Sequence, residues 1–479
     1  IGFDGDIEKY NKIQFLKNKL DKDISFKSVD NNLIDLIWRN RPKKLRSIPF
    51  KHPIIFSGEN ESSKIQKILK YINKNKVDGY ILTSCDSICW LFNLRAQDLE
   101  YSPLLMAKSI IHKDGDCYIF SDQKNIKNEN ISDKIKIIYK PLKDFKLHFS
   151  KHRVIASSYM CAPNEVSYNT IRSIKEASIK TIFKENLINN LKSIKNKYEQ
   201  DGMRNAHIRD GVALTKFLYW IKNIKTKSLS EITASEYLDK LRSKNKNFFS
   251  LSFPTIAGSG PNGAIVHYRA NKKTNRRIKD DDLFLVDSGA QYFDGTTDVT
   301  RTIAFKKVTL EQKKMYTMVL KGHIAVAISS FKENEDGKQL DKKARKFLLK
   351  ENLNFDHGTG HGVGSFLNVH ESPPSISPLS KYNFKKGMIV SNEPGFYKKN
   401  KFGIRIENLI LTKKQKDKLY FETLTTAPLE PKLIDFNLLN STERKWVNDY
   451  HRNVFNVISN HLNISEKKWL KDEISSLLT

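Results

Sequence analysis

The chain has 479 residues, 39% hydrophobic and 10% aromatic, with 83 Lys and Arg against 53 Asp and Glu for a formal net charge of +30. At roughly 150 residues per domain this is about three domains with a sizeable core, which excludes a disordered chain, and no apolar run approaches the roughly 20 residues of a membrane span. Four cysteines are too few for a disulfide scaffold and favour a reducing compartment, while Lys spread beside Asn and Ile along the whole chain ("KSIKNKYEQ", "TKKQKDK") reads as compositional bias and not as a specific nucleic-acid surface.

The first 50 residues read as a strand, an amphipathic helix over about Asp6–Leu20, a strand near Ile24–Val29 and a short helix ending near Trp38. That reads as the back half of an α/β domain whose front half is expected to precede it, in a chain that opens on Ile1 and so leaves any targeting signal open. A basic, proline-bearing linker follows at Arg39–Pro49. Residues 51–190 alternate strand and helix: strand Pro53–Ser57, helix Ser62–Asn75, then strands Gly79–Thr83, Asp116–Ser121, Lys134–Tyr139 and Arg153–Ser157, a second α/β domain. A long helix, about Glu199–Lys222, opens an α+β region over residues 191–428, with hairpins and helices near Glu311–Ser330 and Lys338–Asn352. The tail, residues 429–479, holds two helices, Thr442–Asn460 and Glu466–Leu478.

Three histidines, His357, His361 and His370, fall in "HGTGHGVGSFLNVH". The interleaved glycines exclude a stable helix, so this is an extended or looped segment. If "FLNV" is a strand, strict alternation separates His361 from His370 unless the chain bends near Gly364 or Ser365. Asp287 and Asp298 sit in "LFLVDSGAQYFDGTTDVTRTIAF", a hairpin whose turn must centre between Tyr292 and Phe293 for the two to oppose, with a longer loop or bulge at "DG". Both lie in apolar strands and need cations; Arg301 is the only positive residue nearby. A second hairpin, symmetric about Asn400, sets Glu393 across from Glu407, with Arg405, Glu407 and Leu409 on one face. Four inward acids and a histidine on a glycine-rich segment read as a metal site. Carboxylate dominance suits two divalent ions about 3.5–4 Å apart, Mn before Co or Zn.

Taken together, Asp287, Asp298, His361, Glu393 and Glu407 resemble the pita-bread metallopeptidases. The segments "LSFPTIAGSGPNGAIVHY", "DSGAQYFDGTTDVTRT", "HGTGHGVGSFLNVHE", "NEPGFY", "FGIRIEN", "SICWLFNLRAQDLEYSPLL" and "WVNDYH" resemble one branch, the three-domain cytosolic type of aminopeptidase P. The resemblance implies creatinase-like α/β domains before a pita-bread catalytic domain with a C-terminal helical extension. It implies a cytoplasmic homodimer whose five ligands hold two metal ions. His267, His357 and His370 match the family's non-ligand histidines, and Tyr397 and Arg405 its substrate-side residues. The implied reaction is hydrolysis of the bond before a proline in second position, by a solvent bridging the ions, with Glu393 as proton acceptor. His267 and His370 would bind the tetrahedral intermediate, and His357 and His370 would carry a proton to the leaving nitrogen. Alternatives are a prolidase restricted to Xaa-Pro dipeptides and a non-catalytic binding module of the same fold. Such modules lose the ligands, and a methionine aminopeptidase would not need about 190 preceding residues. Trp446 and Trp469 in the tail are candidates for a dimer interface or for packing on the catalytic domain.

Overall fold

The computed structural model describes residues 1–29, 31–42, 47–123, 127–151, 157–224, 229–333 and 335–475. The chain divides into two compact units, Ile1–Lys192 and Ser193–Thr479.

In the first unit seven strands form one mixed sheet, in the order Lys180–Phe183, Ser158–Cys161, Gly79–Leu82, Ala107–His112, Asp116–Ser121, Ile135–Lys140, Glu129–Ser132. The helix Glu61–Lys74 buries Ile65, Ile68 and Ile72, the i, i+3, i+7 stripe of an amphipathic helix. The segment expected as a strand at Pro53–Ser57 is instead one helical turn, Ile54–Ser57. Pro53 opens it, and Gly58, at φ 66°, closes it in the left-handed region where a side chain would be strained. The expected strand Arg153–Ser157, save Ser157 itself, and the middle of the linker fall on residues 152–156 and 43–46, outside the described residues.

The second unit opens with the helix Lys197–Asn223, whose start is fixed by reciprocal hydrogen bonds between Asn196 and Glu199. The helix Glu231–Ser243 is clamped to it by Arg242, which donates to both carboxylate oxygens of Asp210 at 2.8 Å. Two antiparallel layers then carry the site. Strands Ile256–Ser259, Leu283–Ser288 and Val299–Ala304 form one. The other is six-stranded, in the order Ser330–Lys332, Lys418–Thr423, Asn408–Gln415, Ile389–Asn392, Gly360–Gly362, Glu371–Ile376. The helices Leu310–Ala327, Gly337–Leu349 and Ser441–Ile458 cover them through a core including Tyr316, Leu320, Ile406, Val447 and Val454. Trp446 and Trp469 are partly buried against this core, which places both in packing within the unit.

Candidate metal centre and active site

The glutamate hairpin has the register expected of it. Gly395 pairs with Arg405 and Lys398 with Phe402, while Asn392 pairs with Asn408, so both ladders are symmetric about Asn400. Glu393 and Glu407 lie opposite each other in the gap between the ladders. Asn400 takes the left-handed conformation, φ 61°, that the turn requires. The aspartate hairpin differs by one residue. Tyr292 pairs with Gly295, so Phe293 and Asp294 form a tight turn and there is no long loop. In this register Asp287 faces Thr300, and Asp298 falls across from Gly289, where the ladder is interrupted. The two aspartates are thus diagonal neighbours on one face, not an opposed pair.

These four carboxylates, with His267, His357, His361, His370 and Arg405, line a single cavity of about 310 Å³. Asp298, His361 and Glu407 each offer a ligand atom, and these atoms lie within 4.8 Å of one another. Burial, then the neighbouring Asp287 and Glu393, push the Asp298 carboxyl well above the usual carboxylate range. Burial and then Asp298 do the same to Glu407. Asp287 keeps one buried oxygen, Oδ1, without a hydrogen-bond partner.

Arg301 does not meet the aspartates. Its guanidinium turns away to the carbonyls of Glu407 (2.7 Å), Ala427 (2.8 Å) and Pro428 (2.8 Å) and to Tyr450 Oη (2.9 Å). The cation beside Asp287 is Arg405, whose Nη2 lies 2.7 Å from Asp287 Oδ2. Arg405 Nη1 donates to the Tyr397 hydroxyl (2.6 Å), which lies 2.8 Å from His357 Nε2. His357 Nδ1 is 2.8 Å from the Gly358 carbonyl, so it must be the protonated nitrogen, and Nε2 accepts from Tyr397. By the same logic His361, with Nδ1 2.9 Å from the Gly362 carbonyl, presents a bare Nε2 to the cavity. That nitrogen is 3.5 Å from Asp298 Oδ2 and 3.4 Å from Glu393 Oε1.

The expected bend between His361 and His370 is present. Gly364 N–H donates to the Asn368 carbonyl (3.0 Å), Phe366 has φ 50°, and the rings of His361 and His370 meet edge to face at 4.3 Å. Burial and the adjacent His361 pull the His370 imidazole down to about 4, so it is neutral at neutral pH. His267 lies in a turn after the short 3₁₀ helix Gly260–Ala264, not in a strand.

Sequence reasoning missed several supports. Thr300 Oγ1 donates to Glu407 Oε2 (2.8 Å) and accepts from Arg405 Nε (3.1 Å). Ser391 Oγ donates to Glu393 Oε1 and accepts from the His361 N–H, both at 2.9 Å. His323, fully buried, spans the glutamate hairpin between the Asn392 carbonyl (3.0 Å) and Asn408 Nδ2 (3.2 Å). It comes from the helix Leu310–Ala327, where an apolar pattern gave no signal of a polar role.

Three sequence profiles match: a creatinase/prolidase N-terminal domain over residues 40–199, metallopeptidase family M24 over 201–414, and the C-terminal region of peptidase M24 over 417–477. A protein of Paracoccidioides brasiliensis named probable Xaa-Pro aminopeptidase P is 39% identical over 468 residues, covering 91% of this chain and 75% of its own. One of the same name from Aspergillus fumigatus is 40% identical, covering 90% and 69%. Among solved structures, the X-prolyl aminopeptidase of Caenorhabditis elegans, described as a cytosolic enzyme with a di-nuclear active site, superposes with a TM-score of 0.92 at 31% identity. It covers 99% of this chain and 80% of that one. The prolidase of Pyrococcus horikoshii shares the fold, with a TM-score of 0.61 at 24% identity over 77% of this chain and 99% of its own. With the relatives matched across both units, this chain belongs to metallopeptidase family M24, with a creatinase-type N-terminal domain and a pita-bread catalytic domain.

Proposed function

We propose that the protein is an Xaa-Pro aminopeptidase, removing the N-terminal residue from peptides with proline second. Two divalent ions would be held by Asp287, Asp298, His361, Glu393 and Glu407. The observation that carries this reading is the convergence of these five donors on one cavity where, among the described residues, no Lys or Arg pairs with Asp298 or Glu407. The unpartnered Asp287 Oδ1 and the bare His361 Nε2 fit the same occupant. Four carboxylates and one imidazole, without thiolate, favour Mn, with Co or Zn as replacements. Bound here, such ions supply Lewis acidity towards the scissile carbonyl and a solvent nucleophile at neutral pH.

The chain's own residues would do the rest. Ser391 holds the Glu393 carboxylate, the proposed proton acceptor, in one orientation. His267 and His370 would hydrogen-bond the carbonyl oxygen as its charge grows. His370 would also pass a proton to the leaving nitrogen. Both nitrogens of His357 are engaged, so we assign it the orientation of Tyr397 and not the proton. Phe253, Pro254 and Ile256, which line the cavity, would form a proline pocket; Tyr397, not itself among the lining residues, packs on the Ile256–Tyr268–Leu285 cluster and would support it from behind. Such a pocket recognises shape, as it must when the bond cut has no N–H to read. We extend the proposal to the cytoplasm, in keeping with the neighbour described as a cytosolic enzyme, and to a homodimer, as the family resemblance implies. No helix among the described residues is long and apolar enough to cross a membrane.

Metal analysis combined with turnover of Ala-Pro-Ala against Ala-Ala-Ala tests the reading. Two ions per chain and selective cleavage of the proline peptide are expected. Cleavage of Xaa-Pro dipeptides alone would favour the prolidase reading, and equal turnover of both tripeptides would defeat proline specificity.

A further inference from the structure

Tyr268 fastens the wall that carries His267. Its hydroxyl sits 2.9 Å from both Glu231 Oε2 and the Thr274 carbonyl and accepts from Asn262 Nδ2 at 2.8 Å. With Tyr268 drawn inward to 5% exposure, its two neighbours are left exposed, and both line the site cavity: His267 and Arg269. Arg269 has no hydrogen bond or ion pair among the described residues. Of the acids of its own segment, Asp282 is taken by Arg276 (3.5 Å) and Asp280 by Lys306 (2.7 Å), and the exposed Asp281 makes no ion pair with Arg269 among the described residues. Among the described residues, Lys272, Lys273 and Arg277 on the same segment also lack an ion pair. The cavity is therefore polarised, with buried acids at its floor (Asp298 4%, Glu407 1% exposed) and an unpaired, exposed guanidinium on its wall.

Cleavage of the first peptide bond requires the reacting carbonyl at the acidic floor, so residues after the proline must run outward past the exposed wall. We propose that Arg269 is a specificity-determining residue that binds a carboxylate on the residue following proline. That carboxylate is the terminus of a tripeptide or an acidic third side chain. This rests on the Xaa-Pro reading above. A guanidinium fork matches a carboxylate with two parallel hydrogen bonds, and the neighbouring unpaired cations add a field of the same sign.

The test is kcat/KM of the metal-loaded enzyme on Ala-Pro-Ala as free acid and as C-terminal amide, and on Ala-Pro-Glu-amide against Ala-Pro-Gln-amide. Wild type should favour the carboxylate-bearing member of at least one pair by about tenfold, chiefly through KM, with the preference shrinking as salt rises. The pair that discriminates identifies which carboxylate is read. Arg269→Ala should bring the ratio near one, Arg269→Lys should keep part of it, and Arg269→Glu should invert it. A ratio equal in wild type and Arg269→Ala would overturn the proposal. Wild-type enzyme that cleaves none of these peptides would refute the Xaa-Pro reading itself, and this one with it.

Discussion

Asp298 and Glu407 are 4% and 1% exposed, and each is held protonated-leaning by burial and by the other acids around it. Replacing Asp298 by Ala removes a donor from the cluster it forms with His361 and Glu407. Metal retention and activity should be lost together, while the metal-free protein, relieved of one buried acid, keeps a thermal midpoint at or above that of wild-type apoprotein. Metal analysis and scanning calorimetry read both, and full activity with two ions bound would sink the site assignment. His370→Ala should behave differently. Its ring touches His361 but four carboxylates already balance the cations, so ions should remain while kcat falls. One lost transition-state donor typically costs about 3–4 kcal/mol, or ~10²–10³ in rate. Near-normal kcat with both ions bound would make His370 a structural histidine. At this scale the sequence disclosed the acids, because carboxylates in apolar strands stand out. It did not disclose which arginine serves them. Arg301 is closer along the chain, but Arg405 reaches Asp287 because its strand, Phe402–Arg405, lies beside the aspartate hairpin. Such cross-strand neighbours depend on tertiary packing, which local pattern does not encode.

At the scale of elements, the two hairpins show what sets legibility. Asn400 tolerates positive φ, so the symmetry of the glutamate hairpin could be read from one residue. The aspartate hairpin turns on Phe293–Asp294 with Gly295 closing it, so the "DG" marked the turn correctly, and its centre moves one place from where opposed aspartates would need it. The misread turn at Ile54–Ser57 has a related cause: a β-branched run suggests a strand, but the flanking Pro53 and Gly58 set the local backbone. The Asp210–Arg242 pair, with Tyr292 Oη 2.9 Å from Asp210, ties both opening helices of the second unit to the aspartate hairpin. Burial raises the Asp210 carboxyl, but Arg242 and these hydrogen bonds outweigh it, leaving the carboxyl below its ordinary value. A depressed native value means the contribution is fully present above the unfolded-state pKa, about 3.9, and is lost as pH falls through the native one. Asp210→Asn strands a wholly buried guanidinium, which typically costs about 3–5 kcal/mol. The midpoint difference between wild type and Asp210→Asn should therefore be large at pH 7 and shrink below about pH 4. A difference independent of pH would show that the carboxylate's charge is not what holds the helices.

For the whole molecule, the family was legible because its motifs recur along both units, from "SICWLFNLRAQDLEYSPLL" to "WVNDYH". The tail motif has a structural meaning that the sequence alone did not give. Tyr450 Oη receives Arg301 and sits 2.6 Å from the Ala427 carbonyl, and His451 Nε2 accepts from Leu429 N–H at 3.1 Å. The helix Ser441–Ile458 thus closes the back of the strands whose fronts carry Glu407 and Asp298. All five proposed ligands come from the second unit, and from strands or loops that pair with one another. An ion that binds only the folded arrangement stabilises it by mass action, about 2.7 kcal/mol at a free concentration 100 times the dissociation constant. It also removes the repulsion among buried acids that the metal-free fold must carry. Chelation should therefore lower the thermal midpoint of the second unit, and Mn should restore it in a concentration-dependent way. Hydrogen exchange should quicken first at Ile389–Asn392, whose neighbour Glu393 enters the cavity, and at Gly360–Gly362, which carries His361 into it. If ions shown to be bound beforehand leave both the midpoint and the exchange of these strands unmoved on removal, the five side chains do not hold them.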